Sequence, residues 1–230
     1  MNGKLLHLCD SLFPIGGFAY SDGLEAATSP RGGEAGERVQ TAAQLRGWLD
    51  VCLDETIGHL EGPAVWRAWL AFGAADWDAI VDADGELTAL RPSSSARQSS
   101  RAMGLRLLTT WHALYPHPHL DHARALARDG AIGPTLPIAF AGACACAGIE
   151  RRLAVEGYAY ARLMATISAA MRVMPIGQTD AHTVLARTLE RIPHVVDTMA
   201  ASEAEPTCFT PAMDIAAMTQ QYLHSRLFRS

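Results

Sequence analysis

Thr41-Ala42-Ala43-Gln44-Leu45-Arg46-Gly47-Trp48-Leu49-Asp50-Val51-Cys52-Leu53 opens with a capping box, in which a threonine hydroxyl and a glutamine amide satisfy backbone groups at a helix start. Leu45, Trp48, Leu49, Cys52 and Leu53 follow at i, i+3, i+4, i+7 and i+8, which is one face of an α-helix. The same grammar recurs outward from this stretch. Ser95-Ala96-Arg97-Gln98 reads as a second capping box ahead of Met103, Leu107, Trp111 and Leu114. Glu150 to Met174 runs without proline and stops at Pro175. Thr210-Pro211 places a hydroxyl cap before an N1 proline, and Ile215, Met218 and Tyr222 then mark a last amphipathic helix. Further helices are expected near 5–11, 22–27, 63–73, 120–128, 135–148, 179–190 and 194–203, with breaks at 28–38, 83–95, 115–119, 129–134 and 204–209. No sustained apolar–polar alternation and no Asn-Gly hairpin turn argue for strands. The expected fold is all-α, a single-domain helical bundle (1–230) of roughly ten helices with short connections.

Composition narrows the function classes. Apolar residues make up 49% and charged residues 19%, a globular balance. A net charge of −5 argues against nucleic acid as a partner, since phosphate binding needs a basic surface. Lys4 is the sole lysine, so the positive charge is almost all arginine; that suits bidentate contacts to carboxylates at interfaces, and codon bias explains it equally well. The cysteines, at 9, 52, 144, 146 and 208, form no CxxC pair, and Cys52 falls on the core stripe, which points to buried thiols in a reducing compartment. Met1-Asn2-Gly3-Lys4-Leu5-Leu6-His7 lacks a long apolar run, and the apolar stretch Gly133–Ile149 is broken by Pro134 and Pro137 and too short for a bilayer. The expectation is a cytoplasmic protein with no membrane partner.

The most unusual segment is Leu12-Phe13-Pro14-Ile15-Gly16-Gly17-Phe18-Ala19-Tyr20-Ser21-Asp22-Gly23-Leu24-Glu25. It is no phosphate loop, because no Gly-Lys-Ser/Thr follows. Pro14, Gly16, Gly17 and Phe18 read as a shaped helix–helix connection, with Ser21 or Asp22 capping the next helix and Gly23 and Glu25 in its opening turn. Met174-Pro175-Ile176-Gly177-Gln178-Thr179-Asp180 repeats Pro-Ile-Gly. Pro175, Gly177 and Gln178 are expected to form a second turn packed near the first, with Thr179 or Asp180 as cap and a buried Gln178 amide tying the two.

His112, His117, His119 and His122 gather around Tyr115-Pro116. Imidazoles suit nickel and zinc, but the histidines lie on a proline-containing loop and no cysteine is expected nearby, which argues against a metal site. Cys144 and Cys146, two apart on an apolar helix, read as buried small side chains. No Gly-x-Ser-x-Gly elbow, His-Glu-x-x-His or dinucleotide fingerprint is present, so neither catalytic residues nor a cofactor are expected.

Leu5-Leu6-His7-Leu8-Cys9-Asp10-Ser11 and the Leu12–Phe18 segment, extended by Ser21, Gly23, Leu24 and Glu25, resemble the N-terminal signature of the UreF family of urease accessory proteins. Ser100-Arg101-Ala102-Met103-Gly104 resembles that family's mid-chain helix, Pro175-Ile176-Gly177-Gln178-Thr179-Asp180 its Pro-Leu-Gly-Gln-Thr segment, and Ser225-Arg226-Leu227-Phe228-Arg229-Ser230 its C-terminal end. Thr219-Gln220-Gln221-Tyr222-Leu223-His224 departs from the His-Glu pair common there. The resemblance implies an all-α homodimer without enzymatic activity, which binds UreD (also called UreH), recruits and gates the GTPase UreG, and serves nickel insertion into apo-urease. It also implies that Tyr222, Arg226, Leu227, Phe228 and Arg229 dock the partner; Phe228 folding back on its own core is the competing reading. The alternative function is a metallochaperone binding nickel through its histidine loop.

Overall fold

The computed structural model describes residues 2–29, 38–202 and 205–229. Most of the loop expected across 28–38, part of that at 204–209, and Ser230 lie outside the described residues. Within them the chain forms α1 (Gly3–Leu8), α2 (Leu24–Thr28), α3 (Ala42–Val51), α4 (Gly62–Ala74), α5 (Trp77–Ala89), α6 (Ser94–Leu114), α7 (Pro118–Arg128), α8 (Leu136–Cys146), α9 (Arg151–Val173), α10 (Gln178–Leu189), α11 (Ile192–Ala201) and α12 (Pro211–Thr219), and no strand. Short 3₁₀ turns span Gly17–Ala19 and Gln220–Tyr222.

The centre of the bundle is α8. Leu136 through Cys144 are all buried, so the helix has no polar face and must be surrounded. It packs most extensively on α4 and α6, with α9, α7 and α5 completing the shell. Gly104 sets the α6–α8 approach: a β-carbon there would sit 1.9 Å from the Pro134 carbonyl oxygen, so this position of α6 touches the backbone that leads into α8.

The helix read from Thr41 onward does start with both bonds of its capping box. It does not end at Leu53. A π-helical stretch, Cys52–Glu61, joins α3 to α4 without a break. Pro63 near the start of α4 explains the widening: with no N–H and a bulky ring, it cannot follow four residues behind His59 in a regular ladder. The freed His59 carbonyl accepts from the Thr207 N–H at 2.9 Å instead.

Three local expectations are corrected. Residues 83–89, expected in a break, are the second half of α5: Ile80, Asp84 and Leu87 are buried on one face, and the Asp84 carboxylate accepts from the Gly133 and Thr135 N–H groups (2.7 and 2.8 Å). A buried aspartate that organises a distant loop looks, in sequence, like a polar loop residue. The cap of α6 is Ser93, which accepts from Ala96 N–H, so the helix starts one residue before Ser95. Thr210 holds the N-cap position of α12, but its hydroxyl donates to Asp214 rather than accepting from the backbone.

Candidate functional site

The N-terminal motif and the C-terminal tail, far apart in sequence, meet in one clamp. Gly23 starts α2 in the left-handed region (φ 88°), and a β-carbon there would lie 2.7 Å from the Ala217 backbone nitrogen. Glycine therefore admits α12 against the motif. The fully buried Gln220 follows α12; its amide oxygen accepts from Ser21 Oγ (3.0 Å) and Gly23 N–H (3.1 Å), and its NH₂ donates to Glu25 (3.1 Å). The Glu25 carboxylate also accepts the Leu227 N–H (2.6 Å) and the Phe228 N–H (3.2 Å). Arg229 N–H donates to the Ala19 carbonyl at 2.8 Å, closing the tail onto the motif.

Phe228 fills the space this clamp creates. It is 3% exposed, under the Arg172 guanidinium 4.3 Å from its ring centroid. Arg172 also donates to the Phe18 carbonyl at 2.7 Å. Tyr222 and Leu227 of the tail and Phe18 of the motif are, by contrast, 80%, 62% and 73% exposed. Of the expected docking residues, Phe228 is thus committed to its own chain, while Tyr222, Arg226, Leu227 and Arg229 face outward.

The second motif behaves differently. Pro175, Gly177 and Gln178 are exposed, and Gly177 rather than Thr179 or Asp180 occupies the N-cap of α10. The expected buried Gln178 tie is absent. The link from α9's last turn to the first motif runs through Arg172, just ahead of Pro175. Pro14 is exposed and Gly17 half-buried, whereas Ser21, Gly23 and Glu25 are buried.

Beneath the clamp lies an ionic knot that sequence reasoning missed. Asp22, itself at a positive φ of 49°, accepts from Arg162 at 2.6 Å. Arg162 also reaches Glu61 at 3.2 Å; Glu61, 1% exposed, accepts from the Tyr158 hydroxyl (2.9 Å) and pairs with Arg91. Two carboxylates face two guanidiniums, so the knot is neutral as a whole. Burial works against ionised Asp22, but the charges of Arg162 and Arg91 and the Arg162 hydrogen bond outweigh it and hold Asp22 below its usual value. Burial pushes the Tyr158 hydroxyl up to about 12 and the neighbouring Cys52 thiol up to about 11, so both stay protonated and neither is a nucleophile. Glu61, Arg91 and Arg162 come from the π stretch, the α5–α6 connection and α9, and no local pattern joins them.

Asp22 has a measurable consequence. A depressed folded pKa contributes stability that is fully present above the unfolded carboxylate value of ~3.9 and disappears as the pH falls through the lower folded value. Asp22→Asn is therefore expected to flatten the acid side of the stability–pH curve below about pH 4. Urea midpoints measured from neutral to acid pH check this; parallel curves for both proteins would refute it.

A groove of about 450 Å³ between the π stretch and α11 involves Asp54, His59, Trp66 and His194. Its Arg191 is already paired with Asp50 and Asp54 at 2.7 Å, so that guanidinium is not a free charge for a ligand. No helix of the described residues is long and apolar enough to cross a membrane.

The fold is thus an all-α helical bundle whose two terminal motifs lock together, with exposed aromatic and aliphatic side chains on the lock. The UreF family model matches residues 39–189. The chain is 31% identical to the urease accessory protein UreF of Azoarcus sp. (strain BH72), with 99% of this chain and 94% of that protein covered. It is 33% identical to that of Methylibium petroleiphilum, covering 98% and 92%, and 30% identical to that of Teredinibacter turnerae, covering both chains completely. The chain belongs to the UreF family of urease accessory proteins.

Proposed function

We propose that this protein is a cytoplasmic, homodimeric adaptor of urease maturation: it binds UreD (UreH), recruits and gates the GTPase UreG, and serves nickel delivery to apo-urease without catalysing a reaction itself. The observation that supports this reading is the terminal clamp. It orders a tail that would otherwise fray, and it displays Phe18, Tyr222 and Leu227 beside Arg226 and Arg229. Aromatic and arginine side chains together are the usual composition of an interface hot spot, and Leu227 adds apolar area beside them. UreD is assigned to this patch, and UreG is recruited by the complex so formed.

The test uses residues that can be changed without touching the fold. Tyr222→Ala with Leu227→Asp alters two exposed side chains, so unfolding free energy should move by no more than about 0.5 kcal/mol. Capture of UreD by the purified double variant should weaken at least tenfold, and recruitment of UreG should fall with it. Unchanged affinity for UreD in a folded double variant would refute this docking surface. Failure of the unaltered protein to co-purify with UreD and UreG would refute the adaptor reading itself.

A further inference from the structure

The four histidines around Tyr115-Pro116 are divided by the fold. His112 contacts Arg124 (3.1 Å) and Asp121 (3.0 Å), and His122 stacks on Trp77 with ring centroids 4.2 Å apart. His117 and His119 take another direction. They precede and open α7, which packs on α8, and the C-terminal end of α8 brings Cys146 to them. Donor atoms of His117, His119 and Cys146 all lie within 4.8 Å of one another, and all three residues are half-buried. Cys146 is thus unlike Cys144, which is fully buried, and the cysteine missing from the histidine loop in sequence is supplied in space.

His119 is oriented as a ligand. Its Nδ1 lies 2.8 Å from the Phe72 carbonyl, which only accepts, so Nδ1 carries the proton and Nε2 keeps a lone pair. Trp77 stands edge-on to the ring at 5.7 Å and fixes its plane. His117 accepts the His119 N–H at Nδ1, 3.2 Å away. A neutral imidazole has one lone pair, so His117 can ligate only by giving up this cap bond.

We propose that His117, His119 and Cys146 bind one divalent ion of the late first-row class, cobalt through zinc, with a fourth position left for water or an exogenous donor. One thiolate and two imidazoles select such ions over magnesium or calcium, which prefer oxygen. Three protein ligands leave a tetrahedral ion one open site. On binding, the Cys146 thiol releases its proton, the ion sheds waters, and His117 exchanges its cap bond for the metal. The site is independent of the adaptor reading, because it needs neither UreD nor UreG.

The purified full-length protein, stripped with chelator, is titrated with Zn²⁺, Ni²⁺ and Co²⁺ by calorimetry and absorption spectroscopy. The expected result is one ion per chain and, with Co²⁺, a thiolate-to-metal charge-transfer band. Cys146→Ser should abolish that band, and Cys146→Ser and His119→Ala should each weaken binding by more than the roughly tenfold to hundredfold that a merely orienting residue contributes. His122→Ala should leave the affinity unchanged. If none of the three ions binds, if the Co²⁺ complex lacks the band, or if Cys146→Ser binds as the unaltered protein does, the site does not exist. The band of the unaltered protein decides the matter should a variant fail to fold.

Discussion

Arg162→Ala is expected to destabilise the protein by about 3–5 kcal/mol, the cost of breaking a buried ion pair from one side. Arg162 is the only group in the knot that touches both carboxylates, with Asp22 at 2.6 Å and Glu61 at 3.2 Å. Its side chain is 11% exposed and that of Glu61 1%, so water cannot replace it at Glu61. Alanine would leave two carboxylates facing Arg91 alone, a net negative charge in a low-dielectric site. Asp22 is a quarter exposed and recovers some hydration, which places the expected loss toward the lower end of that range. Arg162→Lys keeps the charge but has one compact ammonium where the guanidinium forks between Asp22 and Glu61, so it should fall between the two. Urea unfolding of the three proteins measures the series. A loss below about 1 kcal/mol for alanine would mean that the knot is solvated in solution and holds nothing together.

The division between what sequence discloses and what it hides follows from the range of the interactions. The Thr41 capping box and the stripe from Leu45 to Leu53 are encoded within a few turns of chain, and both are present as read. The π stretch behind them is not local in the same sense. It depends on Pro63 and on a Thr207 N–H supplied from far along the chain, so helical periodicity passes over it. Asp84 misled for the same reason: its partners, Gly133 and Thr135, belong to another connection.

The candidate site shows a similar split. Ser21, Gly23 and Glu25 were marked by their motif, but the motif reads locally as a helix start, and only the fold shows that all three serve the tail. Gln220, in the stretch before the tail, carried no local sign that it would be fully buried. Its side chain is a neutral amide that donates to Glu25 while accepting from Ser21 and Gly23, which suits a buried position that must both give and receive. The α7–α8 packing likewise turns a histidine loop without cysteine into a His–His–Cys cluster.

Glu25→Ala should release the tail. The carboxylate accepts three donors at once: Leu227 N–H on one oxygen, and Phe228 N–H and the Gln220 amide on the other. Each buried donor left unpaired costs about 1–3 kcal/mol, more than the neighbouring contacts return, so the segment escapes the cost by detaching and hydrating. Detachment also exposes Phe228, whose burial is worth about 1.5–3 kcal/mol. The expected net loss is about 3 kcal/mol, close to the value of that anchor, because detachment caps the donor penalty. Glu25→Gln should release it partly, since an amide offers one acceptor atom and points two N–H groups at donors. Amide hydrogen exchange at Leu227 and Phe228 is the direct readout: both should lose protection in Glu25→Ala while α8 amides keep theirs. Phe228→Ala should produce the same exchange pattern, and the double variant should cost little more than either single change, because the second substitution acts on a tail already free. If the penalties of Glu25→Ala and Phe228→Ala add in full, the carboxylate and the aromatic anchor stabilise the protein separately and the clamp is not a unit. If UreD affinity is unaffected when the tail is released, the ordered tail is a structural closure of the bundle rather than the platform on which the partner docks.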